Sequence, residues 1–187
     1  MSRNKEFHTT VNGITGFVPP RRDQTDRLYD AESFWKGTTP AAGKTISEQG
    51  AKDMLGEIIH HKSLDEYPGI SRLRDRNVWH PETHVTFDTR NMGNAVTYSN
   101  GDINFHPEKG MHVGIVTHEA AHLANLLGHQ FYDHEGEEDK GFAHEWPYAN
   151  THLHIAHNML GGKEASVPLK NLYRMFGVQW MPKHRIQ

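Results

Sequence analysis

Residues 111–127 read MHVGIVTHEAAHLANLL, and this run decides what the remainder of the chain has to support. It holds no proline, and Ile115, His118, Glu119, His122 and Leu126 fall on one face at helical spacing, with Val116, Leu123 and Leu127 beside it. Pro107 stands before the run and Gly128 after it, as helix start and stop signals do. Residues four apart project one turn apart on the same face, so the imidazoles of His118 and His122 can reach one ion. Glu119 points close to that face, where a carboxylate can hold a metal-bound water and take its proton. Imidazole is a neutral ligand that leaves a divalent cation most of its charge, and that charge acidifies the water.

Histidine makes up 16 of 187 residues. At that frequency His-Glu-x-x-His arises by chance in roughly one such chain in ten, so the bare pattern is weak. Its setting is stronger. Polar side chains inside an apolar stripe would be buried without partners unless something binds them, and a metal is the simplest such partner.

Composition sets the outer bounds. A chain of 187 residues is expected to form one domain over residues 23–187, preceded by an irregular arm over residues 1–22 that ends in Pro19-Pro20-Arg21-Arg22. A net charge of -3 gives no bulk electrostatic pull on nucleic acid, although the basic Lys183-His184-Arg185 leaves that partner open. Cysteine is absent, which excludes a disulfide framework, a thiolate nucleophile and a Cys-ligated zinc. Any zinc must then use histidine and carboxylate. The first 20 residues lack the apolar core of a signal peptide and no run approaches a membrane span, so a cytoplasmic location is expected. Oligomeric state is not set by these features.

The fold class expected is α+β: a small antiparallel sheet, built on a hairpin, packed on the metal-binding helix with further helices around it. A helix is expected from Asp23 to about Trp35, with Leu28, Ala31 and Trp35 on one side. Residues 37–43 (GTTPAAG) read as a linker. Thr45 and Glu48 have the capping-box spacing and open a helix with Ala51, Met54, Leu55, Ile58 and Ile59 inward. Residues 63–79 read as mostly loop. Strand signals follow at residues 84–87, 95–99 and 102–105, the last two flanking Asn100-Gly101, a two-residue hairpin signal. An open strand edge beside the metal can pair with an extended peptide. A second helix is expected to about Leu160, with Ala149, Leu153, Ala156 and Leu160 inward. A last one over residues 164–176 carries Leu169, Leu172, Tyr173 and Phe176, with Pro168 in its first turn or at its true start.

A zinc hydrolase needs a third protein ligand and one open position. Asn125 and Gly128 stand where the metzincin pattern requires Gly and His, which removes that class. His144 is the preferred third ligand, because Pro147 suits the first turn of a helix that would support it from behind. His129, just past the helix-ending glycine, and His134 and Glu135, in the acidic stretch FYDHEGEEDKG, are the alternatives. His80 and His84 are kept from a shared helical face by Pro81. His152, His154 and His157 read as solvated or as supporting the ligands. Asp102, Asp133 and Glu135 are candidates to receive a ligand's second N–H, and Tyr98 and Tyr148 are the hydroxyls nearest in sequence to the site.

His118-Glu119-Ala120-Ala121-His122, followed by His144-Glu145-Trp146-Pro147-Tyr148, resembles the SprT-like zincins. There a third zinc-binding His heads a His-Gly-x-x-Phe-like segment, and this chain departs from it with Glu145 and Tyr148. The chain also resembles small metallohydrolases of actinobacteria and their phages. The shared segments are Arg22-Asp23…Tyr29-Asp30-Ala31-Glu32 and Phe176-Gly177-Val178-Gln179-Trp180, and the likeness runs over about residues 21–183. The resemblance implies a zincin fold and a Zn²⁺-dependent hydrolase, most simply a peptidase, with His118, His122 and His144 on the metal, Glu119 as general base and a peptide or protein as substrate. The alternative class is a non-catalytic module stabilised by zinc and used in phage–host interaction. Glu119 speaks for catalysis, since a purely structural site has no use for a carboxylate there.

Overall fold

The computed structural model describes residues 7–11, 14–18, 23–75, 79–91, 93–98, 100–129, 144 and 146–180. Inside the segment expected to be irregular, β1 (Phe7–Val11) and β2 (Ile14–Val18) pair as an antiparallel ribbon, Phe7 opposite Val18 and Val11 opposite Ile14. Helix α1 (Gln24–Thr38) opens on Asp23, whose side chain accepts from the Asp26 amide at 2.8 Å. Leu28, Ala31 and Trp35 are fully buried on one side of it, as their spacing implies.

The expected linker is instead helical. α1 runs on to Thr38, and α2 (Pro40–Gly43) begins at once with Pro40 in its first turn, where the missing N–H costs nothing. Ala42, fully buried, holds this short helix down. α3 (Glu48–His60) is capped by Ser47 rather than Thr45, the Ser47 hydroxyl accepting from the Gly50 amide at 3.1 Å. Thr45 is committed elsewhere: it forms a β-bridge with His112, just ahead of the metal-motif helix.

Residues 63–79 also hold more regular structure than their charges suggest. A 3-10 turn (Lys62–Leu64) leads to α4 (Pro68–Asp75), with Ile70 and Leu73 buried. The apolar contact of α4 with the central helix outweighs a polar local composition. Gly69 makes the approach close: a Cβ there would lie 2.6 Å from the carbonyl oxygens of Leu123 and Ala124. Gly69→Ala is expected to destabilise the fold by about 1–3 kcal/mol, read as a drop of several degrees in the melting midpoint. An unchanged midpoint would mean that α4 can retreat freely.

After α5 (Pro81–His84) come β3 (Val85–Phe87), β4 (Ala95–Thr97) and β5 (Ile103–Phe105). The sheet order is β3-β5-β4, with β4 antiparallel and β3 parallel to β5, so the sheet is mixed rather than antiparallel as expected. The β4–β5 hairpin is present, but its register leaves three residues between the paired Tyr98 and Asp102. Gly101 takes the left-handed position at φ +91° that closes such a loop, so the Asn100-Gly101 signal marks the turn while miscounting it.

The central element is α6 (Val113–His129), which packs against α2, α3, α4, α7 and β4. Gly114 lets α2 come close, its would-be Cβ lying 3.1 Å from the Ala42 carbonyl oxygen. α7 (Trp146–Met159) and α8 (Lys163–Phe176) complete the helical layer. The inward face of α7 is Tyr148, Ala149, Thr151, His152, Ile155 and Ala156. Leu153 and Leu160, expected inward, are only half-buried. Pro168 sits inside α8 rather than in its first turn, and the lost hydrogen bond is offset by the burial of Leu169, Leu172, Tyr173 and Phe176. Gly177 at φ +68° ends α8. The result is a mostly helical α+β fold with a three-stranded mixed sheet on one side of α6.

Candidate metal centre

His118 and His122 lie one turn apart on α6, with their Nε2 atoms 3.1 Å apart. His144, immediately before α7, brings its ring 5.4 Å from that of His118 and 4.7 Å from that of His122. One ligand atom from each of the three lies within 4.8 Å of the others, and no other group of three or more such side chains converges among the described residues. The Nε2 of His144 is buried without a hydrogen-bond partner. The His144 nitrogen left bare in the interior is costly as it stands, and a cation held among the three rings satisfies it. The donor set, three imidazoles and no thiolate, is one that first-row divalent ions such as Zn²⁺, Cu²⁺, Ni²⁺ and Fe²⁺ accept.

The electrostatics favour neutral ligands. Burial, assisted by the neighbouring His118 and other rings, holds the His122 imidazole well below the ordinary histidine range. Burial likewise pushes His144 down to about 4, so its lone pair is free at neutral pH. His118 goes the other way: burial would lower it, but the Glu32 carboxylate beside it raises it.

Glu32, on α1, is the residue that sequence reasoning missed. Its Oε2 accepts from His118 Nδ1 at 2.6 Å and its Oε1 from His152 Nδ1 at 2.7 Å. The Tyr173 and Tyr148 hydroxyls add contacts to Oε1 at 3.0 and 3.4 Å. Burial alone would raise this carboxyl, yet the His118 and His152 rings hold it well below the carboxylate range. The signal was present in the sequence. Glu32 falls inside the apolar stripe Leu28-Ala31-Trp35, the same anomaly that singled out α6. Asp102, one of the expected partners, instead receives the Asn100 amide at 2.7 Å. Asp133, His134 and Glu135 lie outside the described residues, and the same holds for the His129 side chain.

His152 is the member of its trio that supports a ligand, with Nε2 3.1 Å from the Thr117 hydroxyl and no exposure. His157 is exposed and meets Ser166, while His154 packs edge-on against Tyr67. His80 and His84 form no joint site: the His84 ring accepts from the His80 amide at 3.1 Å.

Glu119 is buried, and burial raises its carboxyl above the ordinary value, with His118 and Thr97 pulling against that rise. The Thr97 hydroxyl on β4 donates to its Oε2 at 2.6 Å. Tyr148 turns its hydroxyl toward Glu32 and the His118 carbonyl oxygen, and Tyr98 is 49% exposed. Tyr29, not foreseen, stacks on His118 with centroids 5.6 Å apart and meets His144 edge-on at 4.9 Å. Burial, with Glu119 and Glu32 nearby, pushes its phenol up to about 12, so it stays protonated. A cleft of about 490 Å³ opens here, between Tyr29 and Lys36 of α1, His118 and Glu119 of α6, and Asn94 and Ala95 at β4.

No family model matches the chain, and neither a curated protein nor a solved structure does. No described helix is long and apolar enough to cross a membrane.

Proposed function

We propose that this chain is a zinc-dependent hydrolase, most simply a peptidase, that binds Zn²⁺ through His118, His122 and His144. The observation that carries the reading is the convergence of three imidazoles, one with an orphaned buried nitrogen, beside a buried carboxylate on the wall of a cleft. A bound Zn²⁺ would supply Lewis acidity, polarising a scissile carbonyl and acidifying a water. The protein's part is then to hold and move protons. Glu119 takes the proton from the attacking water and returns it to the leaving amine. Thr97 donates to Oε2 of Glu119 and does not engage Oε1. That oxygen is the one available for proton transfer.

Peptide as substrate is supported by β4. It pairs on one side with β5, through Asn94 and Tyr98 at either end. The N–H and C=O groups of Ala95 and Thr97 therefore point to the other side, where no strand lies among the described residues. An extended peptide laid along this edge runs past Glu119. The likeness to SprT-like zincins supports the same reading.

The test is hydrolysis of a mixed peptide library by the zinc-loaded protein, before and after chelation. Cleavage that stops with chelator and returns with zinc is the expected result. One equivalent of bound zinc with no cleavage of any library member would leave only a metal-stabilised module.

A further inference from the structure

Glu32 is shared between two histidines of different kinds: His118, in the candidate metal cluster, and His152, which lies outside it. The two oxygens are divided between them, and His152 and Tyr173 draw on Oε1 at 2.7 and 3.0 Å. Four helices meet in this one group: α1 supplies Glu32, α6 His118 and Thr117, α7 His152, and α8 Tyr173. The His152 ring is locked at both nitrogens, by Glu32 and by Thr117, and has no solvent exposure. Resting on the metal reading above, we infer that Glu32 is a positioning residue for His118, and that His152 and Tyr173 set how much of its negative charge reaches the metal ligand.

The physical basis is competition for one carboxylate. A hydrogen bond from Glu32 to Nδ1–H fixes His118 as the tautomer whose Nε2 is free for metal, and it makes that nitrogen a stronger donor. Donors on the opposite oxygen withdraw charge from this bond. Removing the carboxylate charge and removing its competing donors must therefore act in opposite directions. A group that merely fills space cannot produce such a sign change, because loss of packing weakens the site whichever partner is cut.

The experiment is zinc affinity by chelator competition at one fixed pH of about 8.5, chosen to lessen competition by protons for imidazole, with Co²⁺ absorption as a check that the coordination set is retained. Glu32→Gln should weaken zinc binding by about 10- to 100-fold while keeping a four-coordinate cobalt spectrum. His152→Phe should tighten binding by roughly threefold, and Tyr173→Phe should shift it the same way by less. Should His152→Phe fail to fold, Tyr173→Phe decides the matter alone, since it deletes one hydroxyl from an otherwise unchanged ring. Wild-type affinity for Glu32→Gln overturns the inference. So does weakening in either of the other two variants. These ratios read binding and not turnover, so a protein that takes up zinc without cleaving peptides leaves the inference standing while the peptidase reading falls. A wild type that takes up no zinc removes both.

Discussion

Glu119→Gln should leave zinc uptake at the wild-type level and lower peptide cleavage by about 10²- to 10⁴-fold. The substitution keeps shape and keeps an acceptor for the Thr97 hydroxyl, which sits 2.6 Å from Oε2, so the side chain has no reason to move. What it removes is the ability to accept a proton. Burial has already raised this carboxyl above the ordinary value, bringing its basicity closer to that of the water it must deprotonate. The measurement is kcat/KM on the best library peptide, together with metal content by mass spectrometry on the same preparation. Equal activity in the variant would remove Glu119 from the chemistry even if the metal centre is real.

The second large effect concerns the third imidazole. His144→Ala should weaken zinc binding by at least about 10²-fold, because two imidazoles one turn apart cannot close a site by themselves. The metal-free variant loses the packing of this ring against Tyr29 and Tyr148 but also its unpartnered Nε2, so the two metal-free proteins should differ little in stability. Thermal stability should separate the two proteins only when zinc is added, as linkage requires for a ligand that binds the folded state. Proton release gives an independent check. His122 and His144 are both held below the ordinary histidine range and bind as neutral rings, whereas His118 is raised by Glu32. In mildly acidic solution zinc uptake should therefore release fewer than three protons, His118 being the ligand that gives one up, and fewer still as the pH rises. A full equivalent of zinc at unchanged affinity in the variant would take His144 out of the site.

Much of this site is legible in the sequence, and the reason is periodicity. His118 and His122 fall on one helical face, and Pro147 marks the helix that supports His144. The misses share a cause. Glu32 lies 86 residues from His118 in sequence, so no local spacing connects them, although its place within an apolar stripe gave the warning. His152 reads with His154 and His157 because their spacing along the helix makes no single cluster, and the expected inward face runs through Leu153 and Leu160. The observed face is centred on Ala149, His152 and Ala156. The parallel pairing of β3 with β5 is a tertiary choice that three-residue strands cannot announce. Residues 37–43 read as a linker and 63–79 as mostly loop because glycine, proline and charge dominate them, whereas the stability of α2 and α4 comes from contact with α6.

The Tyr173 hydroxyl reaches the same carboxylate oxygen as His152, and α8 also anchors α1 through the Trp35 indole N–H and the Ala165 carbonyl oxygen, 3.0 Å apart. During biosynthesis, every candidate zinc-binding histidine emerges from the ribosome before this helix does. A nascent chain can hold His118, His122 and His144 and still lack the α8 contacts to Glu32 and Trp35. On the metal reading proposed above, the set of groups around Glu32 is complete only once translation has passed Phe176.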